Sequence, residues 1–381
     1  MTEKLYWDAP YDTSFTAEVI ELTPEGIILD KTLFYPEGGN QISDKGVIIK
    51  DSNKFNVEFV SKSNDLIVHH LSDPFREKLK IGDIIEGEID WEYRYGIMRA
   101  HSSQHVLSAI FKNQLDIDTL KANISFEEVS LHISKSVNEN ELKDVLRQFL
   151  KFCTIQKLQF RSKIVPRNEI RDYNKKLRGG FSAENNLRII EIEDYDINCC
   201  GGTHLENSSE IGPIYFHEIK KRKEFKYFVG NKAIEMLSKE NFDVIDLAGS
   251  LNISITNLHK TLETQFVQLR EENEKLTLKT LELLANSPTF TLKEKNIGFL
   301  NLEVDYKLVS KAFKKFPPKY LLILKSYKKK IQILSNDEVF KANEIINELI
   351  KKFGGKGGGS PRSAQATLDN EPVDIISELR F

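Results

Sequence analysis

Up to Asp90 the chain alternates apolar and polar positions in short runs, FTAEVIELT, GIILD, GVIIK, FNVEFV, LIVHHL and DIIEGEID, punctuated by Gly, Asp and Pro. Period-two runs of this length between turn formers predict a small antiparallel β-barrel or sandwich. The period then lengthens. Asp90 has the character of a helix N-cap, and a helix is expected from Trp91 to about Lys112. After a strand expected over SFEEVSLHI, Leu142, Val145, Leu146, Phe149, Leu150 and Cys153 share one helical face. Cys153 is therefore expected in the core, as a small hydrophobe. Strands are expected at LQFRSKIV, LRIIEI, PIYFHEIK and FKYFVG, with NCCGGTH (198–204) leaving the end of a strand. From about Asn252 onward, Ile255, Leu262, Leu269, Leu276 and Leu283 recur every seven residues. That stripe predicts a long helix packed on a partner helix. The second heptad position is poor (Gln265, Glu272 and Lys279), so a hairpin arm or dimer seam is expected rather than an extended coiled coil. Ser287 and Pro288 end it, and a β/α segment, broken by the loop GGKGGGSPRSAQ, runs to Phe381.

Composition narrows the class. A chain of 381 residues, 40% hydrophobic and 29% charged, can bury two or three cores. It has no run approaching the roughly 18 apolar residues of a membrane span. The opening MTEKLYWDAPYDTSF has neither a secretory nor a transit-peptide pattern, so a cytoplasmic location is expected. Three cysteines, two of them adjacent, suit no disulfide framework and turn attention to metal binding or catalysis. The net charge of −3 hides an uneven distribution. Between Tyr306 and Arg362 there are 14 Lys/Arg against 4 Asp/Glu, and Lys220, Lys221, Arg222 and Lys223 are consecutive. Both stretches are candidate phosphate-facing surfaces, or simply solvated faces.

His101 and His105, four apart on the expected helix, project from one face a turn apart. Cys200 and His204 bracket Gly201, Gly202 and Thr203, and the glycines let both side chains turn to one point. Three imidazoles and a thiolate suit zinc by ligand type. The residues alone leave three readings open: a zinc site, a purely structural polar cluster, or a catalytic cysteine with a histidine base.

HSSQH together with CCGGTHLENSSEIG resembles the HTAxHLL and CGGTHxxxTGEIG motifs of the editing domain of alanyl-tRNA synthetase and its free-standing AlaX relatives. LDKTLFYPEGGNQISDKG is similar to the LDxTxFYPEGGGQxxDxG motif of their barrel domain. GGKGGGSPRSAQ resembles a loop of the synthetase's C-terminal domain, which also occurs in DHH phosphoesterases. The resemblance covers nearly the entire chain in order and implies the long form of AlaX. It implies an α+β multidomain protein: a β-barrel with the glycine-rich motif (1–90), a zinc-binding editing domain of the threonyl/alanyl-tRNA synthetase second-additional-domain type (91–240), a helical arm (241–287) and a C-terminal α/β domain (288–381).

The same resemblance implies that His101, His105, Cys200 and His204 hold one Zn2+ per chain. It brings Thr32 and Gln41 to the aminoacyl group, with Gly38, Gly39, Gly201, Gly202 and Thr203 shaping the loops around them. The implied reaction is hydrolysis of tRNA(Ala) mischarged with serine or glycine. No aminoacylation is expected, because no class II core precedes the barrel. A tRNA-binding module with a structural zinc, or a small-molecule ester hydrolase on the same fold, are the other readings. Lys220, Lys221, Arg222, Lys223, Lys356 and Arg362 are the expected tRNA contacts, and a homodimer through the arm or the last domain is expected. Four protein ligands leave no open position for water, and Ser102 stands where HExxH proteases carry a glutamate base. A fifth coordination position, a yielding ligand, or water activation by the neighbouring ribose hydroxyl all remain open. Three departures from the family stand out: Asn40 replaces a third glycine, KEFKYFVG replaces a Gly-Val-Arg-Arg segment, and Ala366, Thr367 and Leu368 replace glycines.

Overall fold

A computed structural model describes residues 2–63, 66–72, 74–169, 177–178, 186–292, 294–301, 304–326, 329–370 and 375. The chain divides into two compact units, Met1–Asp246 and Leu247–Phe381.

In the first unit, six strands close into an antiparallel barrel in the order Ser14–Leu22, Gly26–Leu29, Leu66–Leu71, Asn53–Ser63, Gly46–Lys50 and Ile84–Ile89. The expected alternation becomes an inside and an outside. Ala17, Val19, Ile27, Ile48, Phe55 and Ile85 fill the interior, while intervening polar residues face water. Asp90 caps helix α1 (Trp91–Leu115) by accepting from the Tyr93 N–H at 3.1 Å. Arg94, in the first turns of α1, ties the helix to the barrel. Its Nε donates to Asp44 Oδ1 at 2.7 Å and its Nη2 to Asp44 Oδ2, with both side chains fully buried.

A four-stranded antiparallel sheet packs with α1 and α2 (Glu139–Thr154) around a second core, where Cys153 lies fully buried as expected. Its strands run Ile214–Lys220, Glu224–Val229, Glu128–Ile133, Thr119–Ser125. The single strand expected at SFEEVSLHI therefore begins in a hairpin turn. Glu127 occupies the left-handed region there (φ 51°), and its carboxylate accepts the Asn231 and Lys232 N–H groups at 2.8 Å each, at the start of α3 (Gly230–Ser250). A neighbouring sheet, Phe160–Pro166, Asn186–Ile192, Asp196–Cys199 and Leu177–Arg178, delivers Cys200 at its end.

The second unit holds α4 (Ile255–Asn286) and a six-stranded mixed sheet flanked by α5 (Tyr306–Phe313) and α6 (Ala342–Phe353). The GGKGGGSPRSAQ segment is not a loop. Lys356–Ser360 and Ser363–Thr367 form an antiparallel edge hairpin. A Cβ at Gly357 would stand 2.2 Å from the Gln365 carbonyl oxygen, so the backbone approach requires glycine despite its poor strand propensity. The heptad positions of α4 are exposed within the chain, from 37% at Leu262 to 64% at Leu269 and Leu276. Among the described residues, no helix is long and apolar enough to cross a membrane.

Candidate metal centre

The i, i+4 spacing on α1 aims two imidazoles at the loop that follows Cys199. Cys200 Sγ lies 3.4 Å from His101 Nε2 and 3.4 Å from His204 Nε2. The ligand atoms of His101, His105, Cys200 and His204 all lie within 4.8 Å of one another, so the four residues could hold one metal ion. The outward ring nitrogens are engaged behind the cluster. His101 Nδ1 meets Gln41 Oε1 at 2.6 Å, and His204 Nδ1 meets the Ser102 hydroxyl at 3.2 Å. Gln41 Oε1 can only accept, so the His101 proton sits on Nδ1 and Nε2 is left as a lone-pair donor facing the centre.

Burial sets the protonation. It pushes His101 down to about 3 and His105 and His204 well below their ordinary value, so all three rings are neutral and able to act as ligands. Burial likewise pushes Cys200 up to about 11, against the opposing Gly202 N–H and Arg188 charge. A thiol that keeps its proton far above neutrality is a poor nucleophile, which disfavours the catalytic-cysteine reading. Metal coordination is what deprotonates such a thiol.

The glycines differ in what they do. A Cβ at Gly202 would lie 2.3 Å from His101 Cε1 and 2.5 Å from Gln41 Oε1, so only glycine lets the loop press against the ligand ring. Gly201 faces open space, and its carbonyl accepts the Trp7 indole N–H at 2.8 Å. Thr203 closes the layer: its N–H donates to Gln41 Oε1 at 3.1 Å and its hydroxyl accepts from Gln41 Nε2 at 3.0 Å. Arg188 Nη1 donates to the carbonyls of Cys200 and Gly202 at 3.2 and 2.7 Å.

Barrel motif and metal cluster wall one cavity of about 710 Å3, lined by residues 35–40 on one side and by His101, His105 and Cys200 on the other. Gly39 (φ 58°) and Asn40 (φ 67°) both take the left-handed conformation, so asparagine here adopts the backbone that the third glycine would. Gly38 anchors the turn through its carbonyl, which accepts the Tyr35 hydroxyl at 2.9 Å. Gln41 joins the cluster. Thr32 is not among the cavity-lining residues: it is fully buried, with its hydroxyl held by His69 Nε2 at 2.8 Å and by the Phe34 N–H at 3.0 Å. Lys221 (φ 51°) and Arg222 (φ 49°) form the exposed hairpin tip between Lys220 and Lys223. Lys356 and Arg362 are exposed on the edge hairpin of the second unit, and Lys328 of the basic stretch lies outside the described residues. The supporting roles of Ser102, Arg94, Asp44, Arg188 and Trp7 are not expected from the sequence. Ser102 and Asp44 stand inside quoted motifs, and Arg188 interrupts an apolar strand, which are usable signals; Arg94 offered none.

Residues 4–93 match the family model described as tRNA synthetases class II (A), and residues 187–224 match that of the threonyl and alanyl tRNA synthetase second additional domain. The second stretch contains Arg188, Cys200 and His204. Over 413 residues the chain is 28% identical to the alanyl-tRNA editing protein AlaX-L of Pyrococcus horikoshii, covering 99% of this chain and 97% of that protein. The chain is similar, end to end, to the long form of the alanyl-tRNA editing proteins. It is also 30% identical over 400 residues to alanine–tRNA ligases of Sulfurisphaera tokodaii and Methanococcus maripaludis. Of those ligases it spans only 44% and 43% of the length.

Proposed function

We propose that this chain hydrolyses the ester joining a wrong amino acid to tRNA(Ala), with serine as the chief target and glycine as a second. One Zn2+ per chain is held by His101, His105, Cys200 and His204. The observation that supports this most is the shared cavity, in which a glycine-rich barrel motif faces a buried four-donor cluster. The names of the relatives agree with it. A synthetase pocket shaped for a methyl group rejects an added hydroxyl by only about a hundredfold, so a second site that removes the wrong product has work to do.

Bound there, zinc supplies Lewis acidity toward an ester carbonyl. The chain's own residues position the parts. Gln41 fixes the His101 ring and the Thr203 backbone, Ser102 fixes the His204 ring, and Thr32, through His69, fixes the strand that leads into the glycine motif. An aminoacyl ester is intrinsically reactive, so orientation carries much of the acceleration. Lys220, Lys221, Arg222, Lys223, Lys356 and Arg362 are assigned to tRNA phosphates, and binding through them weakens steeply with salt. The exposed heptad stripe of α4 is assigned to a homodimer seam.

The test is deacylation of Ser-tRNA(Ala) and Ala-tRNA(Ala) by wild type, Cys200→Ala and His101→Ala, with zinc measured in each. Wild type should cleave the seryl ester and spare the alanyl one. Both variants should lose zinc and about a hundredfold or more of the rate while still binding tRNA. A zinc-free variant that edits normally removes the metal's role. Binding without hydrolysis by wild type favours the tRNA-binding module, and cleavage of free aminoacyl esters without tRNA favours the small-ester hydrolase.

A further inference from the structure

Among the described residues of the first unit, Arg94 is fully buried and Arg178 half-buried, and each has its counter-ion. Arg94 meets Asp44, and Arg178 meets Asp196, each through Nε and Nη2. Arg188 is only 6% exposed, yet it makes no ion pair among the described residues. Its Nη1 is used on the Cys200 and Gly202 carbonyls, while its Nε is buried with no partner. Asp8 acts on it through space and not by contact. A buried cation without an anion is costly, so the anion is expected to arrive with a ligand.

Arg188 lines both the cavity of about 710 Å3 at the metal cluster and a second one of about 400 Å3 that reaches His204 from another side. We infer that Arg188 is the phosphate anchor of the site, binding the phosphodiester on the 5′ side of the tRNA's terminal adenosine while the aminoacyl ester on its ribose faces the cluster. This rests on the editing reading above. Of the groups such a substrate brings, the phosphodiester is the permanent anion. The α-amino group is a cation, and the ester carbonyl is neutral until it reacts. A guanidinium is suited to a phosphate, which it can meet through the N–H donors that the Cys200 and Gly202 carbonyls leave unused.

The test uses the full chain with zinc bound and compares adenosine, adenosine 5′-monophosphate and inorganic phosphate by calorimetry. Wild type should bind the monophosphate about tenfold or more tighter than adenosine, and phosphate should compete with the monophosphate alone. Arg188→Gln should abolish that preference, and Arg188→Lys should restore part of it, with zinc measured in each. Equal binding of adenosine and its monophosphate by wild type overturns the inference whether or not the variants fold. So does an Arg188→Gln protein that keeps the preference, or one that loses only the deacylation rate, which would mark a group acting on the reacting carbonyl. A wild type that edits without phosphate preference sinks the anchor and leaves the editing reading. One that shows the Arg188-dependent preference but cleaves no aminoacyl-tRNA supports the anchor and sinks that reading.

Discussion

Two regions of this chain invert the usual distribution of side chains, in opposite directions. Around the metal cluster the polar groups are inside: Gln41, His101, Ser102, His105, Thr203 and His204 are all 4% exposed or less. Along α4 the apolar groups are outside, with Leu269 and Leu276 each 64% exposed. The first inversion is answered within the chain, since Gln41, Ser102 and Thr203 hydrogen-bond to the ligands or to one another. The second is not. Substitutions in the first should therefore cost folding energy or metal affinity, whereas those in the second should change association and leave the fold alone.

The strongest challenge to the buried side of that contrast is Asp44→Asn. Asp44 carries the only carboxylate paired with the fully buried Arg94 among the described residues, and it also accepts the Tyr35 N–H. Removing one partner of such a pair leaves an uncompensated charge, which typically costs about 3–5 kcal/mol. Urea unfolding followed by tryptophan emission reads this well, because Trp7 and Trp91 both lie in this unit. A change under about 1 kcal/mol would mean the pair is not the clamp described here.

A second buried polar group gives the barrel a pH dependence. Burial pushes His69 down to about 4 from its ordinary 6.5, although its Nδ1–H meets the Ile27 carbonyl. Between those values the unfolded chain takes up a proton that the folded chain refuses. Stability from this group is thus fully present above pH 6.5 and is lost as pH falls toward 4. The shift is worth about 3 kcal/mol. His69→Gln should be less stable at neutral pH but flatter across pH 6.5 to 4, and an unchanged slope in unfolding midpoints would contradict the assignment.

What could be read from sequence follows the same division. The candidate metal cluster is legible because a helical i, i+4 pair and a glycine-hinged loop are local patterns, and the barrel strands because alternation is local too. The supports are not. The amide of Gln41 serves His101 and Thr203, and the Thr32 hydroxyl meets His69; both facts depend on contacts across the fold. The turn at Glu127 carries no Gly, Pro or Asn. A glutamate holds that left-handed position because its carboxylate caps α3, a reward invisible in the local sequence. The glycine-rich hairpin is expected as a loop because propensity argues against strands there, and close backbone approach overrides propensity.

Ser102 sharpens the comparison at smaller scale. Its hydroxyl meets His204 Nδ1 at 3.2 Å and accepts the Leu205 N–H at 3.0 Å. Ser102→Ala should weaken metal affinity about tenfold to a hundredfold, measured against a competing chelator, with little loss of fold. Ser102→Thr should keep most of it. Equal affinity in the alanine variant would show that the ring is oriented by packing against Phe160, which stacks on it at 5.9 Å, and not by this hydroxyl.

The smallest expected effect on stability comes from α4, and it is where the contrast would fail most plainly. Leu269→Glu with Leu276→Glu places charges where exposed leucines stand seven residues apart, so unfolding free energy should move by no more than about 0.5 kcal/mol per site. If a second copy covers that stripe, sedimentation should show wild type as a dimer and the double variant as a monomer with the same unfolding midpoint extrapolated to low concentration. A wild type that is already monomeric would leave the leucines as solvent-facing residues without a partner copy. A double variant that unfolds far more easily as a monomer would mean that these leucines pack within the chain, and the opposition between the two regions would dissolve.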